Sequence, residues 1–276
     1  MSHRLWSLPW VALLACQLFL AQPVSADVTY TIDRDIGYWG DDAPDDYAEE
    51  RCRLDVYRPE GGEAFPTVIW FHAGGLTAGE RFIPGELRKS GMAIVAADYR
   101  LNPKAEAPAY LEDAAAATAW VMDNIEALGG DPDRIYVTGA SAGGYLATMV
   151  GLDDRWLAAH DKSPSDLAGI ISLSGQMITH FTVRKEQGVT GTQPVIDDMS
   201  PLFHVKPDAP KLVLITGDRD VELFGRYEEN AYMWRMMQVV GHKDTTIYEL
   251  DGFNHGQMTQ PALFLMRRLV HEDGEQ

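Results

Sequence analysis

The sequence is poor in cysteine and in positive charge, and each shortage excludes a class of protein. Only two cysteines occur among 276 residues, which is too few for a disulfide framework. No Cys/His cluster has the spacing of a zinc site, so no metal is expected. Lysine and arginine total 23 against 41 acidic residues, a formal net charge of −18. Nucleic acid and anionic lipid are not expected as partners, because both bind basic surfaces.

Apolar residues, in contrast, are abundant enough to build a large core. They make up 46% of the chain, and this length suits one large α/β domain or two small ones. No internal repeat and no low-complexity tract divides the sequence into two parts. We therefore interpret the chain after residue 26 as a single domain.

The first 26 residues have the layout of a secretory signal peptide. A short segment with one arginine precedes an apolar run of 17 residues, and small or apolar residues precede an expected cleavage after Ala26. Cleavage would leave residues 27–276 as a secreted or periplasmic protein without a membrane span. An uncleaved anchor and a lipoprotein acylated on Cys16 remain as alternatives. Cys52 would then be the single cysteine, and we interpret it as a half-buried residue of a strand.

Short apolar runs alternate with helical patterns along the rest of the chain. Several of the runs are apolar throughout, as is typical of strands covered on both faces. The alternation predicts an α/β fold, a mostly parallel sheet with helices on both faces. Strands are predicted at 53–58, 67–72, 92–98, 134–139, 169–175, 211–217 and 245–250, and helices at 107–128, 142–152, 224–240 and 261–271.

The most informative motif is G-x-S-x-G at residues 139–143. It lies where a predicted strand ends and a predicted helix begins, which is the context that a nucleophile elbow requires. The sharp turn projects the serine hydroxyl from the edge of the sheet, and bulky side chains at Gly139 or Gly143 would clash with neighbouring elements. The motif predicts Ser141 as a nucleophile, although an ordinary glycine-rich turn is the alternative.

A second glycine motif follows the strand at 67–72. Its residues, "HAGG", resemble the H-G-G-G run that supplies oxyanion donors in lipases and esterases. Backbone N–H groups of Gly74 and Gly75, together with the N–H of Ala142, are the predicted oxyanion hole. We interpret His72 as a residue that orders this loop by hydrogen bonding.

These motifs together resemble a known family. Residues 52–153 are similar to small α/β-hydrolase esterases of the hormone-sensitive-lipase and bacterial carboxylesterase/feruloyl-esterase (BD-FAE-like) groups. The resemblance is carried by "LDVYRPEG", "HAGG", "DYRLNPKAEAPAYLEDAAAATAW", "GGDPDRIYVTGASAGGYLA" and the later "SPLFHV". It implies the α/β-hydrolase fold with a short cap insertion. It also implies scaffold roles for the turn at 98–100 and for Asp113 and Arg134 as structural charge partners.

An α/β-hydrolase triad runs in the order Ser, acid, His along the chain. The pattern strand–G-x-x-D after the strand at 211–217 selects Asp220 as the acid, with Asp218 as the alternative. His255 lies after the last predicted strand and before the last helix, and His180 is its competitor. In this scheme His255 accepts the proton of Ser141 and Asp220 orients the imidazole. No cofactor is required.

Substrate choice is less well defined by the sequence. The insertion at 176–199 is short, which favours an open cleft and short acyl groups or esters linked to carbohydrate. Candidate pocket residues are Leu76, Met177, Phe181, Val221 and Phe253.

The function expected from these features is an exported serine carboxylic-ester hydrolase that acts on small-molecule or polysaccharide esters. Two alternatives remain. A peptidase of the prolyl-oligopeptidase type shares the fold and the triad order, and a binding protein with the hydrolase fold needs no chemistry at all.

Overall fold

The structure is a computed structural model that describes residues 28–274. The predicted signal peptide at 1–26, its cleavage site and Cys16 lie outside the described residues. Between residues 28 and 274, none of the helices has the length and apolar character needed to span a bilayer.

Within residues 28–274, eight strands form one sheet in the order β1-β2-β4-β3-β5-β6-β7-β8. The first two neighbouring pairs, β1 with β2 and β2 with β4, are antiparallel. All later pairs are parallel, so the strands from β3 to β8 have their carboxyl ends at one edge. The strands are β1 (Tyr30–Gly37), β2 (Arg53–Pro59), β3 (Phe65–Phe71), β4 (Ala93–Ala97), β5 (Gly130–Ala140), β6 (Gly169–Leu173), β7 (Lys211–Gly217) and β8 (Thr245–Leu250).

Seven α-helices are described between and after these strands. Four of them are long, and they correspond to the four helices predicted from the sequence. The helices are α1 (Asp46–Arg51), α2 (Ala109–Asn124), α3 (Ala142–Leu152), α4 (Asp154–Ala158), α5 (Phe181–Glu186), α6 (Arg226–Val239) and α7 (Thr259–Glu272).

The two faces of the sheet are buried in separate apolar cores. In β3, Ile69 and Phe71 belong to the core that contains residues of α2, α3 and α6. Val68 and Trp70 point the other way, into the core that contains residues of α7. Alternate burial on both faces explains why this strand reads as continuously apolar in the sequence. The predicted α/β fold, a mostly parallel sheet with helices on both faces, is confirmed.

Strand β1 is not among the strands predicted from the sequence, and its burial explains why. None of its eight residues is fully buried, and the strand pairs only with β2 at the edge of the sheet. The apolar periodicity that identified the central strands is therefore weak here. Cys52 was expected to be a half-buried residue of a strand. It lies just before β2 and is fully buried.

Beneath the carboxyl edge, the "DYR" turn is held by buried charge. The guanidinium of Arg100 makes hydrogen bonds of 2.8–3.1 Å to the carboxylate of Asp113, and both residues are buried. Arg134, the other predicted structural charge, instead donates to the carbonyl of Val270 at 3.1 Å. Asp113 and Arg134 are therefore scaffold residues that bind different partners.

Candidate active site

Ser141 occupies a strained turn between β5 and α3. Its backbone has φ of 54° and ψ of −113°, in a region that residues other than glycine rarely adopt. The turn is held on both sides, since Ser141 N–H donates to Leu173 O at 2.8 Å and Tyr145 N–H donates to Ser141 O at 3.0 Å. A Cβ atom at Gly143 would overlap the carbonyl of Phe71, so only glycine fits there. The close approach predicted from G-x-S-x-G is present.

The predicted oxyanion loop follows β3 and has the backbone that glycine permits. Gly74 has φ of 124° and Gly75 has φ of 64°. The loop is anchored by hydrogen bonds from Thr77 N–H to Gly74 O at 3.1 Å and from Thr182 Oγ1 to Gly75 O at 2.5 Å. Within residues 28–274, the N–H groups of Gly74, Gly75 and Ala142 have no hydrogen-bond acceptor. Three backbone donors thus remain available beside the turn of Ser141.

His72 supports this loop from below. It is buried, its Nδ1 donates to the carbonyl of Ala73 at 2.7 Å, and its ring stacks on Tyr99 with centroids 4.3 Å apart. Burial lowers the pKa of His72, so the ring remains neutral at neutral pH. The loop-ordering interpretation of this residue is confirmed.

His255 meets a carboxylate at the carboxyl edge of the sheet, and that carboxylate belongs to Glu222. The imidazole Nδ1 donates to Glu222 Oε1 at 2.6 Å. The Glu222 side chain is almost completely buried, whereas the His255 side chain is 22% exposed. The imidazole is therefore held on one side by a buried acid and remains accessible on the other.

Both carboxylate oxygens of Glu222 are fully engaged. Oε1 accepts hydrogen bonds from His255 and from the N–H of Leu223, at 2.6 and 2.8 Å. Oε2 accepts from the N–H of Gly217 and from the hydroxyl of Ser174, both at 2.9 Å. Burial raises the pKa of Glu222, but these hydrogen bonds outweigh it and lower the pKa to about 2. The carboxylate is ionised throughout the neutral range.

The prediction that Asp220 orients His255 is wrong. Asp220 is exposed, and its carboxylate makes no hydrogen bond within residues 28–274. Asp218 instead shapes the turn, since its carboxylate accepts from Asp220 N–H at 2.8 Å and from Gly252 N–H at 2.7 Å. The turn leaves Asp220 in solvent and brings the longer side chain of Glu222 back beneath the end of β7.

Ser174 belongs to the site, although no sequence motif predicted it. It directly follows β6, is buried, and has φ of 49°. Its hydroxyl donates to Glu222 Oε2 at 2.9 Å and lies 3.1 Å from His255 Nδ1. Serine is a common residue at the ends of strands, so its type carries no functional signal. The available signal was its position directly after a predicted central strand of the parallel sheet.

His180, the competitor of His255, has a structural position. It is fully buried at the start of α5, where its Nδ1 accepts from Thr182 N–H at 3.2 Å. Burial lowers the pKa of His180 well below its usual value, and the nearby guanidinium groups act in the same direction. The ring is a neutral cap of α5.

An open cavity of about 840 Å³ lies beside the oxyanion loop. Phe181 joins the two, because its ring lines the cavity and would lie 2.8 Å from a Cβ atom at Gly75. The wall is mostly apolar and is built from the segment after β6 and the start of α6. Its apolar side chains are Ile178, Phe181, Pro194, Ile196, Leu202, Leu223, Phe224 and Tyr232.

Of the five predicted pocket residues, only Phe181 lines this cavity. Leu76 and Met177 are fully buried members of the apolar core, so as pocket walls they were wrong. Val221 and Phe253 are 52% and 40% exposed but lie outside the cavity wall. An apolar residue near a motif can belong to the core or to a cavity wall, and the sequence did not distinguish the two.

The sheet order, the elbow serine and the His255–Glu222 pair define the α/β-hydrolase class of protein. The match of the BD-FAE family model to residues 54–224, more than half of the chain, then identifies the chain as a member of the BD-FAE family. The matched region contains Ser141 and Glu222, and His255 lies beyond it.

Two curated esterases of one bacterium are similar to parts of the chain. The chain is 26% identical over 234 residues to esterase LipC of Mycobacterium tuberculosis, covering 74% of the chain and 56% of LipC. It is 36% identical over 115 residues to carboxylic ester hydrolase LipN of the same organism, covering 40% of the chain and 31% of LipN. The chain thus spans about half or less of the length of these relatives.

Two solved structures have the same fold at low sequence identity. A truncated carbohydrate esterase from gut microbiota superposes with a TM-score of 0.71 at 19% identity, covering 92% of this chain and 99% of that one. An esterase of Pyrobaculum calidifontis superposes with a TM-score of 0.64 at 21% identity, covering 89% and 85%.

Proposed function

We propose that the protein is a serine carboxylic-ester hydrolase with Ser141 as nucleophile, His255 as general base and acid, and Glu222 as the acid that orients His255. The observation that carries this proposal is the 2.6 Å hydrogen bond between His255 Nδ1 and the buried Glu222 carboxylate. Family membership and the esterase relatives support the same activity.

The topology supports placing Ser141 with that pair. Ser141, Ser174, Glu222 and His255 follow β5, β6, β7 and β8, which are consecutive parallel strands with their carboxyl ends at one edge. The backbone makes the connection direct, because Ser141 N–H bonds to Leu173 O and the next residue, Ser174, contacts both members of the pair. Ligands of open α/β sheets bind at this edge.

The chemistry follows from the roles of these groups. His255 Nε2 accepts the Ser141 proton as Oγ attacks the acyl carbonyl, and the Glu222 carboxylate stabilises the resulting imidazolium. The N–H groups of Gly74, Gly75 and Ala142 stabilise the oxyanion of the tetrahedral intermediate. The imidazolium then protonates the leaving alkoxide, and water attacks the acyl-enzyme by the reverse sequence of proton transfers. Neither metal nor organic cofactor takes part.

Ester hydrolysis is tested with the purified chain on 4-nitrophenyl acetate, butyrate and octanoate. We expect turnover, with short acyl groups preferred, and we expect Ser141→Ala to reduce kcat by about 10³-fold or more. Equal rates for Ser141→Ala and the wild type would overturn the proposal. Activity confined to prolyl amide substrates would support the peptidase alternative, and binding of esters without turnover would support the non-catalytic one.

The natural substrates that we propose are short-chain acyl esters or esters attached to carbohydrate. The segment between β6 and β7 that borders the open cavity supports this choice, because it contains only short helices in the part of the chain that the structure describes. Hydrolysis of acetylated xylan or methyl ferulate at rates comparable with that of 4-nitrophenyl acetate would support a carbohydrate-linked substrate. Turnover confined to long-chain acyl esters would contradict it.

We also propose that the protein is exported, on the evidence of the N-terminal sequence. The measurement is N-terminal sequencing of the protein recovered outside the cytoplasm of an expressing bacterium. Cleavage after Ala26 gives Asp27 as the first residue. Retention of the whole chain in the cytoplasm would contradict export, and a lipidated Cys16 at the N-terminus would favour the lipoprotein alternative.

A further inference from the structure

Two arginines form part of the wall of the apolar cavity without an acidic partner. Arg184 in α5 and Arg226 at the start of α6 are each only 4% exposed. Within residues 28–274, no carboxylate oxygen lies within 4.0 Å of either guanidinium. Burial lowers the pKa of both arginines, yet a guanidinium remains charged in proteins. Among the residues of the wall, the carboxylate of Glu229 acts electrostatically on both arginines. Two guanidinium groups thus share one carboxylate beyond salt-bridge distance, and an anion that entered the cavity would find their charge only partly compensated.

The acidic groups nearest these arginines are occupied or exposed. Both oxygens of Glu222 are used by the site described above. Glu229 also lines the cavity, and its carboxylate accepts a hydrogen bond from Met177 N–H at 3.0 Å. Burial raises the pKa of this carboxyl, and the guanidinium groups of Arg226 and Arg184 act in the opposite direction without direct contact. Glu228 lies at the solvent-exposed rim of the cavity. None of the three forms an ion pair with Arg184 or Arg226.

Arg226 has hydrogen-bonding capacity left over. Its Nη1 donates to the carbonyl of Ser174, while Nη2 and Nε make no hydrogen bond within residues 28–274. Arg184 uses both terminal nitrogens on the carbonyls of Gln193 and Gly191, at 2.8 and 2.9 Å, and thus contributes mainly charge. A carboxylate in the cavity could accept from Arg226 Nη2 and be stabilised by both charges.

The same cavity is close to the chemistry. Phe181 links its wall to Gly75 of the oxyanion loop. Arg226 links it to Ser174, whose hydroxyl contacts both His255 and Glu222. One residue therefore separates the cavity from the oxyanion loop and one from the His255–Glu222 pair, so a molecule held in the cavity could extend to Ser141.

We propose that this cavity recognises a free carboxylate of the substrate, held by Arg226 and Arg184 at the end of an apolar segment. The preferred substrates are then esters that carry a second, unesterified carboxylate. This inference rests on the proposed function of the site. It also predicts local attraction of anionic substrates in spite of the acidic composition of the whole chain.

The kinetic test compares matched esters with and without the carboxylate. Mono-4-nitrophenyl adipate against 4-nitrophenyl hexanoate places the charge on the acyl side, and 4-acetoxybenzoate against its methyl ester places it on the alcohol side. We expect kcat/KM to favour the charged member of at least one pair by about tenfold. Arg226→Met should remove that preference, and Arg184→Met should weaken it.

The readout is the ratio of kcat/KM between the two esters of a pair. Arg226 also contacts Ser174, so Arg226→Met should slow the hydrolysis of both esters. Arg235→Met is the matched control, since Arg235 lies on the same helix, is exposed, and changes the net charge equally. Arg235→Met should leave the preference intact. Loss of the preference in Arg235→Met as well as Arg226→Met, or no preference in the wild type for either pair, would overturn the proposal.

A binding measurement separates this inference from the proposed function. Calorimetric titration of Ser141→Ala with monomethyl adipate should show binding about tenfold tighter than with dimethyl adipate, and adding Arg226→Met should abolish the difference. Preferential binding without ester turnover in the wild type would refute the hydrolase and keep the subsite. Turnover of neutral esters without preferential binding or charge preference would refute the subsite and keep the hydrolase.

Discussion

Asp220 and Glu222 are acidic residues of one turn, two positions apart. The path of the backbone through this turn determines which of the two carboxylates reaches the His255 imidazole. Val221 N–H and Glu222 N–H both donate to the carbonyl of Asp218, which closes the turn after β7. In that turn Asp220 faces solvent and Glu222 returns to the end of the strand, where its Oε2 accepts a hydrogen bond from Gly217 N–H at 2.9 Å. A pattern such as G-x-x-D records spacing only and carries no information about side-chain direction.

Ser174 should act as a positioning residue for the acid and the base. Ser174→Ala removes one of the two hydrogen bonds on Glu222 Oε2 and the contact with His255 Nδ1, so we expect kcat to fall by about tenfold with little change in KM. Steady-state kinetics with 4-nitrophenyl butyrate provides the measurement.

Ser172→Ala is the control for Ser174→Ala. Ser172 is also buried, and its hydroxyl bonds to Gly144 O at 3.2 Å, away from His255. Ser172→Ala should lower the free energy of unfolding without lowering kcat more than about threefold. If the two variants lower kcat equally, the role assigned to Ser174 is wrong.

At the level of elements, close approaches of backbone determine the geometry of the site. The turn at Ser141 requires a helix that begins within one residue of the strand, and Gly143 permits α3 to lie against the carbonyl of Phe71. The sequence was informative here because only glycine satisfies such contacts. It was less informative for the edge strand β1 and for the short helices, where neither buried periodicity nor a unique residue type marks the element.

The oxyanion loop should be sensitive to a single added methyl group. In Gly75→Ala the new Cβ lies 2.8 Å from the tip of the Phe181 ring at a strained φ of 64°, so the ring or the loop must shift. We expect kcat to fall by about 10- to 100-fold, because the donors no longer meet the oxyanion. The measurement is kcat for 4-nitrophenyl butyrate together with the melting temperature.

Gly61→Ala is a close control for this effect. Gly61 has φ of 65° and no atom within 4 Å of the added Cβ, and it lies between β2 and β3 away from the site. It carries the same backbone strain, about 1 kcal/mol, without the clash. A loss of kcat in Gly61→Ala comparable with that in Gly75→Ala would show that strain alone explains the result.

For the whole molecule, parallel topology brings distant residues together. The site draws on positions from the loop after β3 to the loop after β8, nearly the full length of the sheet in sequence. The alternation of strands and helices predicted that the loops at the carboxyl edge lie together. The two glycine motifs predicted Ser141 and the oxyanion loop. The choice of acid, the presence of Ser174 and the residues of the cavity depend on side-chain packing, which a single sequence does not encode in a local pattern.

The most direct measurement is kcat of Glu222→Gln and Asp220→Asn for 4-nitrophenyl butyrate, determined side by side with the wild type. The two variants make the same chemical change two residues apart in one turn. Glu222→Gln should lower kcat by about 10³-fold or more, because the imidazolium loses its buried carboxylate. Asp220→Asn should stay within about threefold of the wild type, since exposed carboxylates contribute little. Retained activity in Glu222→Gln with a collapse in Asp220→Asn would contradict the proposed triad.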